Sequence, residues 1–463
     1  MPKRPHQEPG VQGLPMLANR CGRLLHRDTL IADCPESDST VRSEARDLEG
    51  RKMQIECTVP RSLTDAIASL ARTEDVRFSP NSRRLAIASF SRNRIAVFDI
   101  EIATSAAGTQ VSLTGGVQLS SPALNAPHGL DFVDDDTLIV ANRTGDVAIF
   151  TLPTGEAEAR SCEVLPIQTC PAGGTNLLKS PGSVAVAGGR RDRREILICN
   201  NFGHTVTRHL LDVSAGYAVT SGEILLRKWL DIPDGVAVSP DRQWIAVSNH
   251  GTHNVLLFNN GPALNEHTDP DGILRRVHYP HGLRFSSDGR FLFVADAGAP
   301  DVHVYANDSA GWRGVRHPAA TIRIMDESLF RRGQHNREEG GPKGLDVDAG
   351  SNVLVVTSEC QPLAFFDVSE TLEGASAGNP VPTWNAHAGR NSGAIEGQLD
   401  GHRSERSQLE RSALEVSREL SIMEHNRTRA MRTEAELNYM RNSVSWRMTA
   451  PLRRLYSALR RLR

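Results

Sequence analysis

Short hydrophobic runs separated by polar turns recur along most of this chain, in groups of three. The clearest group begins at Pro280 and reads Pro-His-Gly, a short apolar run, a Ser-Asp-Gly turn, a second apolar run that ends in Asp, and then a third run. In the second run, residues 291–295, hydrophobic side chains occupy both alternating faces, which is typical of strands in sheets that pack on both sides. The pattern therefore predicts units of three or more short β-strands.

Six copies of this unit follow one another, starting near residues 74, 126, 180, 232, 280 and 341. Their spacing of about 47 to 62 residues, with short strands in each unit, is typical of a β-propeller. One unit alone cannot bury both faces of its sheet, whereas six units in a ring bury each face against a neighbour. We therefore predict an all-β fold, a six-bladed β-propeller over residues 51–387. Closure needs a partner strand from one terminus or the other: a strand within residues 52–59 could pair with the last blade, or residues 380–387 could hold one last strand.

The flanking regions differ from the propeller in composition. Residues 1–50 are rich in Pro and charged side chains and are predicted to be a disordered arm. Residues 388–400 are rich in Gly and Ser, as a linker is. Residues 401–442 predict a long helix with heptad spacing, but the second half of the seam is polar. Residues 405–440 therefore predict either a coiled coil that forms an oligomer or a single long helix.

The last segment, residues 443–463, predicts a basic amphipathic helix. Residues 401–463 hold 14 arginines and 7 glutamates, whereas the whole chain has a formal net charge of −2. Such a helix lies on an anionic membrane surface or docks on protein, and nucleic acid is not expected as a partner. The residues predicted to make the membrane or partner contact are Trp446, Arg447, Arg453, Arg454, Arg460 and Arg461.

The seven cysteines are scattered and form no C-x-x-C pair, which argues against a disulfide framework or a zinc finger. The N-terminal stretch lacks the apolar segment of a secretory signal, and no apolar run is long enough to cross a membrane. We therefore expect a cytoplasmic protein, at most peripheral at the inner membrane face. No phosphate-loop, dinucleotide, nucleophile-elbow or zinc-protease motif occurs in a supporting context.

Polar residues open the innermost strands of a propeller and ring its central channel. The residues predicted at this position, one from each blade, are Asp75, His128, Gly182, Asp234, His281 and Lys343. The ends of the second strands are predicted to add ligand-binding residues at the same mouth: Asn142, Asn201, Asn249, His250, Asp296 and Glu359.

Imidazole and carboxylate groups are a plausible set of divalent-metal ligands, and they also make general acid–base pairs. His128, His281 and Asp234 are therefore the candidate catalytic and metal-ligating residues, and the cofactor is either none or a divalent metal ion. Two other interpretations stay open. The same residues can bind a ligand without chemistry, or they can simply line a water-filled channel and cap turns.

The blades resemble NHL-repeat and gluconolactonase-like six-bladed propellers, through residues 233–235 (Pro-Asp-Gly) with 239–241 (Ser-Pro-Asp), and residues 280–282 (Pro-His-Gly) with 287–289 (Ser-Asp-Gly). In the gluconolactonase-like enzymes an Asp, an Asn and an early Glu hold a divalent ion. The resemblance implies that Asp234 is the first ligand, that His281 or His128 stands where the Asn would be, and that Glu74 is the early Glu.

The C-terminal run of residues 445–453 (Ser-Trp-Arg-Met-Thr-Ala-Pro-Leu-Arg) is similar to a tail found in many bacterial glycosyltransferases. That resemblance implies company with cell-surface polysaccharide assembly. The sequence thus supports two functional hypotheses. One is a scaffold that binds a sugar-containing or protein ligand in a polysaccharide system, and the alternative is a metal-dependent hydrolase or lactonase of the gluconolactonase-like type.

Overall fold

The computed structural model of the chain is a six-bladed β-propeller. It describes residues 53–106, 108–153, 160–170, 177–188, 192–334 and 338–377. The predicted arm at 1–50, the linker at 388–400 and the two C-terminal helices lie outside these ranges. The prediction of an all-β, six-bladed fold is confirmed by six sheets, each of which is antiparallel from its innermost strand to its fourth strand.

Each blade supplies one innermost strand to the central channel. In chain order these strands are Thr73–Phe78, Pro127–Asp134, Pro181–Ala187, Pro233–Val238, Pro280–Phe285 and Pro342–Val347. Each innermost strand contacts that of the next blade, and the sixth contacts the first. The ring is therefore closed.

The second and third strands of the blades follow in hairpin order. The second strands are Arg84–Ser89, Thr137–Asn142, Arg193–Asn200, Trp244–Asn249, Phe291–Asp296 and Val353–Ser358. The third strands are Arg94–Ser105, Val147–Thr151, Thr205–Asp212, Asn254–Asn259, Asp301–Ala306 and Ala364–Asp367.

The fourth strands of the first five blades come from the chain that follows each third strand. They are Gly108–Ser120, Gln168–Cys170, Ala218–Leu226, Gly272–Leu274 and Ala320–Arg323. Three short strands extend the outer edges of blades 1 and 4: Cys57–Thr58, Arg160–Glu163 and Gly314–Arg316. The helices are Arg61–Ala68, Glu327–Gly333 and Ser369–Ala377, with short 3₁₀ turns at Asn201–Gly203 and His250–Thr252.

Blade 6 is completed by the beginning of the described chain. Gln54–Ile55 pairs antiparallel with Ala364–Asp367, so the strand expected within residues 52–59 does close the ring. This arrangement ties the first and last parts of the propeller together by backbone hydrogen bonds.

Hydrophobic clusters fill the space between every pair of neighbouring blades. Between blades 6 and 1, for example, Val355 and Phe365 pack with Val76 and Leu85, and Leu63 of the first helix joins them. The other five clusters span the other five blade junctions in the same way. Both faces of each sheet are therefore buried, which explains the apolar residues on both faces of the strands.

Turns of Ser-x-Asp type connect several innermost strands to second strands. The Ser239 hydroxyl donates to Asp241 Oδ1, which in turn accepts from the backbone N–H of Gln243. Ser286 and Asp288 repeat the arrangement in blade 5. These side chains satisfy the turn's own polar groups, so they mark the fold and not a site.

A layer of charged side chains, buried except for the partly exposed Arg284, crosses the channel part-way along the innermost strands. We call Asp75, Arg77, Asp131, Arg284 and Asp346 the aspartate layer. Each of its aspartates accepts a backbone N–H from its own strand and another from the next blade, for example from Leu130 to Asp75 Oδ2 at 3.0 Å. Asp131 and Asp346 bond to the next blade in the same way. Arg77 lies 2.9 Å from Asp75, and Arg284 lies 2.9 Å from Asp346.

Among the residues that the structure describes, no helix has the length and apolar character needed to cross a membrane.

Cys360 is disulfide-bonded, which the cysteine spacing did not predict.

Candidate functional site

Six residues, one from each blade, surround the channel at the end where the innermost strands begin. We call them the hub ring: Glu74, His128, Gly182, Asp234, His281 and Lys343. Five were predicted, but the prediction placed Asp75 in blade 1, and the strand register places Glu74 there. Thr73 pairs with the last residue of its second strand as Pro127, Pro181, Pro233, Pro280 and Pro342 do, so Glu74 holds the ring position.

The local backbone explains why these side chains turn into the channel. In all six blades the strand register shifts directly after this first pair, so each hub residue lies in an irregularity of the ladder. Bulges of this kind re-aim side chains and are common next to active sites. The glycine that follows allows close approach of the next blade, because a Cβ at Gly129 would lie 2.5 Å from the Cα of Ser183.

Three members of the hub ring converge on one point. Glu74 Oε2 lies 3.6 Å from His128 Nε2 and 3.5 Å from His281 Nε2, and the three ligand atoms all lie within 4.8 Å of one another. Two ligands of a tetrahedral ion with bonds of about 2.1 Å lie about 3.4 Å apart. These three residues therefore form a buried cluster that can hold a metal ion.

His128 is oriented from behind by a backbone carbonyl. Its Nδ1 lies 2.7 Å from the carbonyl oxygen of Gly182, which can only accept, so Nδ1 carries the proton and the Nε2 lone pair faces the channel. Arg143 Nη1 donates to that lone pair at 2.5 Å. Burial, aided by the Arg143 charge, lowers the pKa of His128 to about 3, so this imidazole is neutral at pH 7.

His281 and Asp234 form a buried pair on the other side of the cluster. His281 Nε2 lies 2.8 Å from Asp234 Oδ2, and the rings of His281 and His128 stack with centroids 5.3 Å apart. Burial opposes a charge on His281, but the carboxylate of Asp234 outweighs burial and raises the pKa of the imidazole. Asn201 Nδ2 donates to the second oxygen, Asp234 Oδ1, at 2.6 Å. Asp234 Oδ2 therefore lies beside the cluster, where it could serve as a further ligand.

Gly182 leaves the hub ring without a side chain at blade 3, and this gap admits Asn201. A Cβ at Gly182 would lie 1.7 Å from Asn201 Oδ1. The glycine in the Pro-Gly-Ser opening of this blade thus makes room for the amide that orients Asp234.

Glu74 has one satisfied oxygen and one open oxygen. Arg72 Nε donates to Oε1 at 2.5 Å, whereas Oε2 is buried and has no hydrogen-bond partner among the described residues. Lys343 Nζ lies 3.4 Å from Oε2. Burial favours the protonated form, but Arg72 and Lys343 hold the pKa of Glu74 well below its usual range. A buried carboxylate oxygen without a hydrogen bond is rare, so Oε2 keeps the capacity to accept a further cation or donor beside Lys343.

A second set of side chains surrounds the cluster toward the mouth. Glu339 lies 2.9 Å from Lys343 Nζ and 3.2 Å from His250 Nε2, and Glu359 lies 3.5 Å from Arg72. His250 Nδ1 is buried and has no hydrogen-bond partner in the described part of the chain, and burial lowers the pKa of His250 to about 4.

Two aromatic side chains flank the mouth, each beneath a guanidinium group. Arg72 lies over the Phe90 ring at 4.6 Å, and Phe90 meets His128 edge-on at 6.0 Å. Arg143 lies over the Phe202 ring at 5.3 Å, and Phe202 is 46% exposed. The mouth thus combines cationic and apolar surface.

The remaining predicted residues lie elsewhere. Asn142, Asn249 and Asp296 bond to loop backbone or side chains within their own blades, for example Asn142 Oδ1 with the backbone N–H of Asn125. The predicted tail contacts lie outside the described residues: Trp446, Arg447, Arg453, Arg454, Arg460 and Arg461.

Sequence reasoning missed Arg72, Arg143 and Glu339 and gave Glu74 only through a resemblance. Arg143 directly follows the Asn that ends its second strand, as His250 follows Asn249. The repeat alignment carried this signal for Arg143. Arg72 and Glu339 lie in loops that the repeat does not align.

No family model matches the chain, and no curated protein matches it. One solved structure to which it is similar is a functionally unknown protein from Desulfotomaculum acetoxidans, with 12% sequence identity and a TM-score of 0.42. The match covers 64% of this chain and 83% of that chain. A likeness at this level carries no argument about function, and the resemblances to gluconolactonase-like propellers and to the glycosyltransferase tail gain no support from these comparisons.

Proposed function

We propose that the hub binds a divalent metal ion and that the chain is a metal-dependent hydrolase acting at the mouth of the channel. The observation that carries the proposal is the open, buried Oε2 of Glu74 with His128 Nε2 and His281 Nε2 at 3.6 and 3.5 Å. Arg72 and Lys343 balance the charge of Glu74, but Oε2 still lacks a hydrogen bond, and a buried polar atom without one costs about 1 to 3 kcal/mol, which a bound cation would offset.

The donor set fits a first-row transition ion such as Zn²⁺. Two imidazole nitrogens and one or two carboxylate oxygens are a common ligand set for such ions. The hydrogen bond from His128 to the Gly182 carbonyl is the kind of second partner that fixes a metal-ligating histidine. Binding would displace the proton shared by His281 and Asp234.

A bound divalent cation would supply a Lewis acid for attack on an ester or lactone carbonyl. His250 would orient the attacking water by accepting a hydrogen bond at its buried Nδ1, since it stays neutral near pH 7. Its Nε2 lies 3.2 Å from Glu339, and this contact favours the tautomer that leaves Nδ1 as the acceptor. Lys343 neutralises Glu339 at 2.9 Å and holds it in place.

The test is a titration of purified full-length protein with Zn²⁺, followed by calorimetry and metal analysis. We expect one equivalent to bind, and Glu74→Gln or His128→Ala to weaken binding at least about 100-fold, since each removes a direct ligand. Glu101→Gln and His267→Ala, both exposed positions, serve as matched controls and should bind like the wild type.

A wild-type protein that binds no metal, or hub variants that bind as well as the controls do, would refute the metal site. If the metal-loaded protein hydrolyses none of a panel of esters and lactones, the metal site stands but the hydrolase activity is refuted.

The second candidate is a binding scaffold without chemistry in a bacterial surface-polysaccharide system. The observation in its favour is that basic side chains already lie against the acidic groups of the hub: Arg72 against Glu74 and Lys343 against Glu339.

The membrane part of this proposal rests on the tail, and it predicts that deletion of residues 445–463 abolishes binding to anionic vesicles. Equal binding by the truncated chain would end it.

A further inference from the structure

Arg143 occupies the position that the proposed metal needs. Its Nη1 donates to His128 Nε2 at 2.5 Å, and it lies 4.0 Å from Asp234 Oδ1. Both partners are candidate metal ligands. One nitrogen lone pair cannot accept a hydrogen bond and bind a metal at once, so metal binding and this contact exclude each other.

The mouth offers a second place for the displaced guanidinium group. Arg143 already lies over the Phe202 ring at 5.3 Å, and its side chain is 22% exposed. Phe202 lies in the short 3₁₀ turn Asn201–Gly203 and is one of the few exposed large hydrophobic side chains in the described part of the chain. Rotation of the Arg143 side chain away from His128 therefore keeps its aromatic contact and turns its donors toward solvent.

Arg72 differs from Arg143 in this respect. Its Nε donates to Glu74 Oε1, which is not the oxygen that faces the cluster. Metal binding leaves that hydrogen bond in place. The two Arg–Phe pairs of the mouth thus have different roles, since one holds a ligand and the other is released.

The charges of the site favour an anion once metal is bound. The basic groups Arg72, Arg143 and Lys343 face four acidic groups: Glu74, Asp234, Glu339 and Glu359. A divalent cation added to these three basic and four acidic groups gives them a net charge of +1. A buried site with this charge favours an anion.

We propose that Arg143 is the specificity-determining residue of the metal-loaded hub, and that the substrate carries an oxyanion, a carboxylate or a phosphate, beside an apolar group. Arg143 binds the oxyanion through its planar fork, and Phe202 contacts the apolar group. This inference rests on the proposed metal site and names the substrate class of that site.

The experiment measures two affinities on the full chain by calorimetry. The first is for Zn²⁺ alone, and the second, on zinc-loaded protein, is for phenylacetate, phenyl phosphate and the neutral 2-phenylethanol. We expect the wild type to bind one of the anions at least tenfold more tightly than the alcohol. Arg143→Gln should lose at least tenfold in anion affinity while its zinc affinity stays the same or rises, because a competitor for His128 is gone.

Two further variants make the test decisive. Arg143→Lys keeps the charge without the planar fork, so its anion affinity should lie between that of the wild type and that of Arg143→Gln. If Arg143→Gln does not fold, Arg143→Lys takes its place in the comparison. Arg242→Gln removes an exposed arginine that donates to the Gly188 carbonyl and should match the wild type in both affinities.

The outcomes separate this inference from the proposal beneath it. Zinc binding with equal anion affinity in the wild type and Arg143→Gln would overturn the role of Arg143 alone, because the metal itself would then hold the anion. A loss of zinc affinity in Arg143→Gln would also overturn it. A wild type that binds no zinc would overturn both the metal site and the substrate class.

Discussion

The hub ring and the aspartate layer lie in the same channel, are built from the same innermost strands and are equally buried, yet they treat charge in opposite ways. In the aspartate layer both oxygens of Asp131 and of Asp346 accept backbone N–H groups from two blades. In the hub ring Glu74 Oε2 accepts no hydrogen bond from the described residues, and two imidazole nitrogens face it.

The difference separates buried carboxylates whose hydrogen-bonding capacity is filled from one that keeps capacity for a ligand. A carboxylate bonded to backbone from two blades has no capacity left for a ligand, and it fixes the position of one blade against the next. A carboxylate held by one oxygen and open at the other keeps that capacity at a cost in stability. Burial and charge alone therefore do not locate the site, whereas the unfilled hydrogen-bonding capacity does.

The strongest test of the difference between the two regions is to remove one carboxylate from each and compare the free energies of unfolding. Asp346→Ala removes acceptors for the N–H groups of Phe78 and Val347 and a partner of Arg284, so we expect a loss of about 3 kcal/mol in the free energy of unfolding. Glu74→Gln should cost less, about 1 to 2 kcal/mol in metal-free protein, because Arg72 keeps an acceptor although Arg72 and Lys343 lose the charge that faces them. Denaturant unfolding of both variants checks this.

Asp99→Asn, at an exposed position with a 3.9 Å ion pair to Arg84, is the control and should lie within about 0.5 kcal/mol of the wild type. Similar losses for Asp346→Ala and Glu74→Gln would show that the two regions serve the same structural purpose.

A histidine outside the channel sharpens the comparison through pH. His209 in blade 3 is buried beside Thr207, and burial lowers its pKa to about 4. The folded state thus keeps it neutral, whereas the unfolded chain protonates it near pH 6.5. Its contribution to stability is present above pH 6.5 and is lost as the pH falls toward 4, and it amounts to about 2 to 3 kcal/mol.

The variant His209→Gln should remove this part of the pH dependence. We expect the difference in unfolding free energy between the wild type and the variant to shrink as the pH is lowered from 7 to 4.5. A difference that stays constant over that range would show that His209 is not kept neutral by burial.

The smallest expected effect is a change in zinc affinity when the position without a side chain in the hub ring, Gly182, is filled. Gly182→Ala places a methyl group where Asn201 passes, so Asn201 must release Asp234, and we expect zinc affinity to fall about tenfold, or about 1.4 kcal/mol. Gly188→Ala is the matched control, since a Cβ there meets no atom within 4 Å. Unchanged zinc affinity in Gly182→Ala would show that Asn201 has no part in the site.

The repeat in the sequence was sufficient to predict the propeller and five of the six hub positions, but it left open which terminus closes the ring. It failed at blade 1 because Thr73 stands where the other blades have proline and Asp75 where most have glycine, so the alignment moved by one residue and Glu74 was placed outside the ring. Arg143 could not be predicted to share a lone pair with His128, because that contact depends on the side-chain rotamers of a residue in a turn and a residue in a strand. The spacing of the repeats gives the position of each side chain in its blade but not which side chains contact one another.

The pairing of Gln54–Ile55 with Ala364–Asp367 has a consequence for biosynthesis. The two partners lie more than 300 residues apart in the chain, so the sixth sheet cannot be completed until Ala364–Asp367 has been synthesised. The first five blades are made before that point, and the hub ring closes only when the early strand pairs with the late one.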